Sequence, residues 1–229
     1  MTTLEQPPGS NLTIEQPKKG YRYNQDPFHL ARFVIRHHND WSTYLSGEVL
    51  DLGCGVGVLP LLLAEPLPEA RFTGIEIQEE LAALARLNCQ RNRLAARIKI
   101  LSGDYRDLLG QPEAARKYSV VISNPPYYPP QDGRLNRCPQ KSLARHEIAG
   151  KLSDLIATAA YGLRNQGIFA LVLPAERLTE LFVKLLERQL QPKYLQFIHP
   201  RNADRAGMLL LAARKNGAPG IIVENPIYI

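Results

Sequence analysis

The sequence predicts an α/β fold in which a mostly parallel sheet of seven strands is covered by helices on both faces. Three observations support this prediction. Short apolar, often β-branched segments alternate with longer segments of helical periodicity, as in parallel sheets with crossover helices. One buried strand leads directly into a glycine-rich turn and a helix within residues 48–65. The last two strand-like segments have no helix between them, so we expect a hairpin that places an antiparallel strand at the end of the series.

Each element has its own signal along the chain. Residues 1–19 hold three prolines and the basic pair Lys18–Lys19 without periodic apolar positions, which favours a flexible or extended arm. Apolar residues suit a short helix over residues 28–37. Strands are expected at residues 48–52, 71–77, 98–101, 118–123, 168–173, 194–198 and 208–212. Helices are expected at residues 58–65, 79–91, 151–163 and 175–190, so residues 20–229 form one predicted domain.

The composition excludes several classes of protein. With 45% hydrophobic and 22% charged residues, the chain has the composition of an ordinary soluble globular protein. The sequence contains no apolar run long enough for a transmembrane helix, and its polar, proline-bearing first residues argue against a secretory signal. Three cysteines without CxxC spacing favour reduced thiols in a cytoplasmic protein over a disulfide framework or a zinc site. The formal net charge of +6 and the pI of about 9.3 suit a polyanionic partner.

A glycine-rich turn follows the first buried strand, where residues 49–57 read VLDLGCGVG. Glycines allow a tight turn and let a ligand approach the backbone, and open α/β sheets bind ligands at the carboxyl ends of their strands. The spacing is GxGxG instead of the GxGxxG of pyrophosphate-binding loops, and no Walker phosphate loop occurs. The turn therefore predicts a ligand site, the alternative being a tight turn with no ligand.

Two acidic residues indicate which ligand this site takes. Asp51 precedes the glycines, where it disfavours a phosphate and favours a ligand with an ammonium group, such as a methionine moiety. Glu76 ends the next strand, 19 residues after Gly57, close to the offset of about 20 at which an acid binds ribose hydroxyls. The residues expected to bind the cofactor here are Asp51, Gly53, Cys54, Gly55, Gly57, Glu76 and Ile77, with Cys54 serving only as a small side chain.

A second motif follows the strand at residues 118–123, where the chain reads Asn124-Pro125-Pro126-Tyr127-Tyr128. Together, DLGCGVG and NPPY resemble the class I S-adenosylmethionine (SAM) methyltransferases that modify planar amino or amide nitrogens. NPPYY and the upstream segment GYRYNQD, residues 20–26, more closely resemble the YfiC-like bacterial tRNA methyltransferases. This resemblance covers residues 18–215 and implies a Rossmann-like fold, SAM as cofactor, and methylation of the N6 amine of an adenine beside the anticodon in valine tRNA.

The chemistry of the reaction explains the NPPY motif. An exocyclic adenine nitrogen is a poor nucleophile because its lone pair is delocalised into the ring. The side-chain oxygen of Asn124 and the backbone carbonyl of Pro125 offer two acceptors for the protons of the amine, and the prolines, Pro126 included, keep these groups rigid. Tyr127 offers a face for base stacking, worth about 1–3 kcal/mol. The alternative interpretation is a proline-rich turn in which the tyrosines only pack.

The resemblance implies further residues at the cofactor, among them Asn124 of the NPPY motif. Asp104 follows the third strand, where related methyltransferases bind the adenine amine of the cofactor, and Tyr105 would flank that ring. A turn aspartate is the alternative for Asp104. In the upstream segment, Tyr23 and Asp26, together with Phe28, would close over the methionine end of the cofactor. A helix N-cap is an equally good interpretation of Asp26.

Basic residues suggest where RNA binds. The loop after NPPY carries four basic residues and adjoins the proposed active site, so the expected substrate-binding residues are Tyr127, Tyr128, Arg134, Arg137, Lys141 and Arg145. Arg201 and Arg205, between the last two strands, are further candidates for RNA contact. A basic run at residues 86–99 lies at the carboxyl end of a helix, where it complements the macrodipole.

The expected function is therefore SAM-dependent N6 methylation of adenine in tRNA, without a metal ion. Protein glutamine methyltransferases of release factors carry the same NPPY motif, but they usually have an extra amino-terminal helical domain that we do not expect in this chain. The sequence also leaves open a methyltransferase for DNA or ribosomal RNA and a catalytically silent RNA-binding module. The intact motif at residues 124–127 argues against the silent module.

Overall fold

The computed structural model describes residues 1–19, 22–37, 40–41, 47–125, 152–201 and 203–229. In chain order its strands are β1 (Thr2–Glu5), β2 (Ile14–Pro17), β3 (Glu48–Leu52), β4 (Arg71–Glu76), β5 (Ile98–Ser102), β6 (Tyr118–Ser123), β7 (Leu163–Pro174), β8 (Leu190–His199), β9 (Met208–Lys215), β10 (Ile222–Val223) and β11 (Ile227–Tyr228). Its α-helices are α1 (Asp26–Arg36), α2 (Val58–Ala64), α3 (Glu79–Arg91), α4 (Leu152–Gly162) and α5 (Leu178–Glu187). Short 3-10 helices cover Tyr105–Leu108 and Ala175–Arg177.

The central sheet has the strand order β10-β8-β9-β7-β6-β3-β4-β5, and β11 also pairs with β8. Among the strands described, β9 runs antiparallel to β7 and β8, whereas the other neighbours in this sheet are parallel. The predicted α/β fold and its antiparallel strand are confirmed. The predicted number of seven strands is too low by β10 and β11. Each of these has only two residues, too few to show an alternating pattern.

Two hydrophobic clusters lie on the two faces of the sheet, because successive strand residues point in opposite directions. Val120 and Ile122 of β6 belong to the cluster that α1, α2 and α3 cover. Val121 belongs to the cluster that α4 and α5 cover. All six residues of β6 are buried, which explains why its sequence reads as a continuous apolar run instead of an alternation.

The amino-terminal segment differs from the predicted flexible arm. β1 and β2 form an antiparallel hairpin with the register Thr2↔Pro17 to Glu5↔Ile14. Ile14 is fully buried, and the backbone of residues 13 and 15 is hydrogen-bonded to side chains of α3 and of the residue that caps it. The prediction was wrong because the hairpin is held by polar side chains more than 70 residues away, which leave no local periodicity. We propose that residues 1–19 belong to the same domain as residues 20–229.

Several predicted boundaries also shift. The strand expected to begin at residue 168 begins at Leu163, directly after α4. The helix expected over residues 175–190 divides into the 3-10 turn and α5, and residue 190 already belongs to β8. No helix in the described ranges is long and apolar enough to cross a membrane.

Candidate active site

Four parallel strands bring the predicted site residues to one edge of the sheet. The order β6-β3-β4-β5 places the carboxyl ends of these strands side by side. Asp51 lies near the end of β3, Glu76 ends β4, Asp104 follows β5, and Asn124 follows β6. The first and last of these residues are 73 positions apart in the sequence, but all four share one edge because every crossover returns the chain in the same direction.

The glycine turn has the backbone that its sequence predicts. Gly53, Gly55 and Gly57 have φ angles of 76°, 56° and 84°, in the left-handed region that favours glycine. At Gly57 the turn also comes close to α3, because a Cβ atom there would lie 3.3 Å from the Cβ of Ala85. The turn therefore fits closely between β3 and α3.

Glu76 also has a structural role that its sequence context does not indicate. Its side chain is buried, and its two oxygens accept hydrogen bonds of 2.9 Å from the backbone N–H groups of Gly55 and Gln78. Burial raises the pKa of Glu76, and hydrogen bonds from the backbone, including that of Ile77, act in the opposite direction. Glu76 therefore fixes the glycine turn, while a carboxylate with two acceptor sites per oxygen can still bind hydroxyl groups.

We expect Glu76→Ala to destabilise the protein by about 1–3 kcal/mol, because the buried N–H of Gly55 loses its partner. Urea unfolding of the ligand-free protein measures this loss. Glu79→Ala is the matched control, since the exposed Glu79 carboxylate pairs at the surface, with Arg86. Equal stability of Glu76→Ala and wild type would contradict the structural role of Glu76.

Asp51 presents the most unusual electrostatic environment of the site. The residue is 1% exposed, and neither carboxylate oxygen has a hydrogen-bond partner among the residues that the structure describes. Burial raises the pKa of Asp51 well above its ordinary value, and the nearby Glu76 carboxylate adds to this increase. A buried carboxylate with unfilled acceptor sites suits a cationic hydrogen-bond donor. Asp51 therefore fits the ammonium group of an amino-acid moiety.

Asp104 and Tyr105 lie at the third strand end. The Asp104 carboxylate accepts hydrogen bonds from the backbone N–H of Arg106, at 2.9 Å, and from its Nε, at 2.8 Å. These contacts lower the pKa of Asp104, so the residue is an anion that caps the 3-10 turn. Tyr105 is partly buried, and burial, followed by the Asp104 charge, raises its pKa to about 12. The role of Arg106 was not predicted, although an arginine two residues after an aspartate suggests such a contact.

Asn124 and Pro125 follow β6 directly and are half-buried. The preceding Ser123 donates a 2.8 Å hydrogen bond from Oγ to the carbonyl of Leu52, which ties the end of β6 to the end of β3. Asn124 and Pro125, the expected acceptors of the NPPY motif, therefore follow the strand that pairs with β3, and β3 carries Asp51. The remaining predicted residues of the motif and its loop lie outside the described residues: Pro126, Tyr127, Tyr128, Arg134, Arg137, Lys141 and Arg145.

The upstream segment leads into α1. The ring centroid of Tyr23 lies 5.8 Å from that of Phe28, and burial, followed by the charge of Glu5, raises the pKa of Tyr23 to about 12. Asp26 is buried, and its backbone N–H donates a 3.0 Å hydrogen bond to the side chain of Asn24. The N-cap interpretation of Asp26 is wrong, because Asp26 is the first residue of α1 and Gln25 is the cap.

The basic residues separate into two groups. In the run at residues 86–99, Arg97 donates to carbonyls at the end of α2, including Ala64, and Arg91 pairs with Glu15. These contacts agree with a role inside the fold. Arg201 and Arg205 lie in the loop after β8. Strand β8 runs in the same direction as β7 and β6, so all three strands end at the same edge of the sheet. These two arginines therefore share an edge with the predicted active site.

Two of the three cysteines and the possible metal ligands can be assessed within the described residues. Cys54 and Cys89 are free and buried, and burial raises the pKa of both thiols, to about 11 for Cys89. Within the described part of the chain, no group of three or more His, Cys, Asp or Glu side chains could hold a metal ion.

Known proteins are similar to this chain in both sequence and fold. The model of the methyltransferase small domain matches residues 31–191. A Cronobacter sakazakii protein named tRNA1(Val) (adenine(37)-N6)-methyltransferase is 33% identical over 191 residues, covering 77% of this chain and 75% of its own. A Porphyromonas gingivalis protein of the same name is 37% identical over 137 residues, covering 58% of this chain and 51% of its own. The chain thus spans about half the length of the first curated relatives it matches.

A solved structure supports the architecture. A protein from Agrobacterium tumefaciens, titled a predicted O-methyltransferase, superposes with a TM-score of 0.68 at 22% identity, covering 89% of this chain and 86% of its own. The class I methyltransferase fold implied by the resemblance is therefore confirmed, as is the resemblance itself. Because the matched residues 31–191 include the glycine turn, the three acids and Asn124, the chain belongs to the methyltransferase small domain family.

Proposed function

We propose that this protein transfers a methyl group from SAM to the N6 amino group of an adenine in tRNA, with the anticodon-loop adenine of valine tRNA as its target. One observation carries the proposal. The Asn124-Pro125 acceptors begin at the end of β6, beside the strand that holds Asp51, whose buried carboxylate has no hydrogen-bond partner within the described ranges. The relatives named as tRNA adenine-N6 methyltransferases support the choice of target. A tRNA substrate also makes the cytoplasm the expected compartment.

The residues at the sheet edge suit SAM. Asp51 offers an ammonium group two carboxylate oxygens that no described residue bonds, and Glu76 can accept from ribose hydroxyls while it holds Gly55. Asp104 remains an anionic acceptor beside Tyr105, as the resemblance implies for the adenine end. When bound, SAM supplies an electrophilic methyl group. The chain supplies the groups that bind this cofactor and position the attacking nitrogen.

Asn124 and Pro125 would activate the adenine nitrogen. The Asn124 side-chain oxygen and the Pro125 carbonyl accept hydrogen bonds from the amine, which favours a pyramidal nitrogen with a localised lone pair. Because Asn124 follows a fully buried strand and precedes a proline, its acceptor needs little reorganisation during the reaction. The spare proton leaves to water after methyl transfer. The base of a single-stranded loop needs only unstacking to reach this position.

Methylation of unmodified valine tRNA by the purified protein tests the proposal. We expect transfer of one methyl group from SAM, with N6-methyladenosine found by mass spectrometry of the nucleosides. The same tRNA with guanine in place of the target adenine should accept none. A release-factor protein is the second substrate to be offered. Methylation of its glutamine, with no methylation of tRNA, would contradict the proposal.

Binding of tRNA is expected to be electrostatic. If four phosphates are neutralised, log affinity should fall against log salt with a slope of about −3, from about −0.7 per contact. Replacing Arg134, Arg137 and Lys141 with alanine should flatten this slope, because these cations follow the NPPY motif. Filter binding between about 50 and 200 mM salt measures it. Replacement of Arg86 and Arg93 is the control, and a slope that changes only in the control would move the RNA surface to the α3 side.

A further inference from the structure

The amino-terminal hairpin is attached to α3 and its C-cap by two asparagines. Asn88 accepts a hydrogen bond from the N–H of Glu15 at 2.7 Å and donates one to its carbonyl at 2.9 Å. Asn92 accepts from the N–H of Thr13 at 2.9 Å and donates to its carbonyl at 2.8 Å. Each carboxamide thus satisfies both the N–H and the carbonyl of one residue, Thr13 just before β2 or Glu15 within it. A neighbouring strand would make the same pair of hydrogen bonds.

The match between helix and strand depends on spacing. Four residues of an α-helix rise about 6 Å, and two residues of a strand rise about 6.6 Å. Asn88 and Asn92 are four residues apart, and Thr13 and Glu15 are two residues apart. The two carboxamides can therefore reach Thr13 and Glu15, two alternate residues of the hairpin edge, while helix and strand keep their regular geometry.

Asn88 makes one contact that Asn92 does not make. The Asn88 carboxamide nitrogen also donates a 3.0 Å hydrogen bond to the carbonyl of Val56, which lies between Gly55 and Gly57 in the glycine turn. Asn88 is fully buried, so these contacts are shielded from water. One side chain therefore joins α3, the hairpin and the cofactor turn.

The other side of the hairpin holds the upstream segment. The fully buried Gln16 accepts a 3.2 Å hydrogen bond from the N–H of Tyr23 and donates a 2.7 Å hydrogen bond to Glu5. Glu5 in turn forms an ion pair with Arg22. The hairpin thus positions residues 22–23, which lead to α1 and to the residues expected over the methionine end of SAM.

We infer that the hairpin is part of the SAM-binding machinery and that Asn88 is its positioning residue. Asn88 fixes the glycine turn relative to the hairpin, and Gln16 fixes the Tyr23 segment relative to the same hairpin. This inference rests on the proposed use of SAM. It adds residues 2–17 and Asn88 to the determinants of cofactor affinity, although none of them is a catalytic residue.

Calorimetric titration with SAM tests the inference with two matched variants. We expect Asn88→Ala to raise the Kd for SAM about tenfold, within the usual range of coupling between sites. We expect Asn92→Ala to bind SAM with nearly the wild-type Kd, because it releases the hairpin backbone at Thr13 but leaves Val56 bonded. Wild-type affinity in Asn88→Ala, or equal losses in both variants, would overturn the role of Asn88.

Hydrogen exchange provides a second test, which begins with the wild-type protein and then compares the two variants. Coupling is reciprocal, so bound SAM should slow exchange of the Glu15 amide, which donates directly to Asn88. The Asn92→Ala variant should keep this protection, and Asn88→Ala should lose it. Binding of SAM with no change at Glu15 would overturn the inference. Binding of SAM without methylation of tRNA would contradict only the proposed function.

Discussion

Asn124→Ala is expected to lower the rate of methyl transfer to tRNA by about 100- to 1000-fold, the usual effect of removing one preorganised polar group. The variant loses the side-chain acceptor for the adenine amine, while the Pro125 carbonyl remains. Its affinity for SAM should stay close to the wild-type value, because the proposed acceptor faces the nitrogen and not the sulfonium group. Single-turnover methylation at saturating SAM and tRNA measures the rate of the chemical step.

The control for this variant is a substitution of the preceding residue, Ser123, at the end of β6. Ser123→Ala removes the 2.8 Å hydrogen bond to the Leu52 carbonyl and so perturbs the same strand end without removing an amine acceptor. A large loss of rate in Asn124→Ala and a small one in Ser123→Ala would support the proposed role. A wild-type rate in Asn124→Ala would show that another residue activates the nitrogen.

Asp51→Asn is expected to weaken SAM binding by about 30-fold or more. Removal of one charge from a buried pair weakens binding by at least about 2 kcal/mol, and about 1.4 kcal/mol corresponds to a factor of ten. The asparagine side chain keeps nearly the same shape, so the loss reports the missing charge. Calorimetric titration at pH 8 measures it, and unchanged affinity would remove Asp51 from the cofactor site.

The same substitution is expected to stabilise the ligand-free protein. In the folded state the pKa of Asp51 is raised, so the folded protein binds its proton more tightly than the unfolded chain does. The destabilising effect is therefore absent below the unfolded pKa, increases as pH rises through the window between the two pKa values, and is complete above the folded pKa. At pH 8 we expect the Tm of Asp51→Asn to exceed that of wild type by at least about 2 °C, which is about 1 kcal/mol for a chain of this length.

Asp104→Asn is the contrasting control. Its carboxylate is stabilised by Arg106, so its pKa is lowered and the substitution should destabilise the protein at pH 8. A decrease of Tm in Asp51→Asn would contradict the unpartnered state of Asp51.

A linked prediction concerns the pH dependence of SAM binding. As pH falls below the raised pKa of Asp51, protonation should compete with the ammonium group, so the Kd for SAM should increase and binding should release a proton.

Local sequence was sufficient for much of this protein. The strand at Glu48–Leu52, the turn with three glycines and the helix at Glu79–Arg91 have the predicted bounds, because buried runs, glycine conformations and helical periodicity involve residues that are close in sequence. The placement of Asp51, Glu76, Asp104 and Asn124 at one edge also follows from local patterns, since parallel strands with crossover helices align their carboxyl ends.

The contacts between distant segments required the tertiary structure. Asn88 meets Glu15 across 73 residues, and Glu76 meets Gly55 across 21. Hydrogen bonds from a side chain to a distant backbone leave no periodic pattern, which is why residues 1–19 resembled a flexible arm. The sequence by itself determined the α/β fold and the residues at the sheet edge. The tertiary structure decided that Glu76 holds the glycine turn and that Asp51 has no hydrogen-bond partner among the described residues, because partner geometry depends on how separate segments pack.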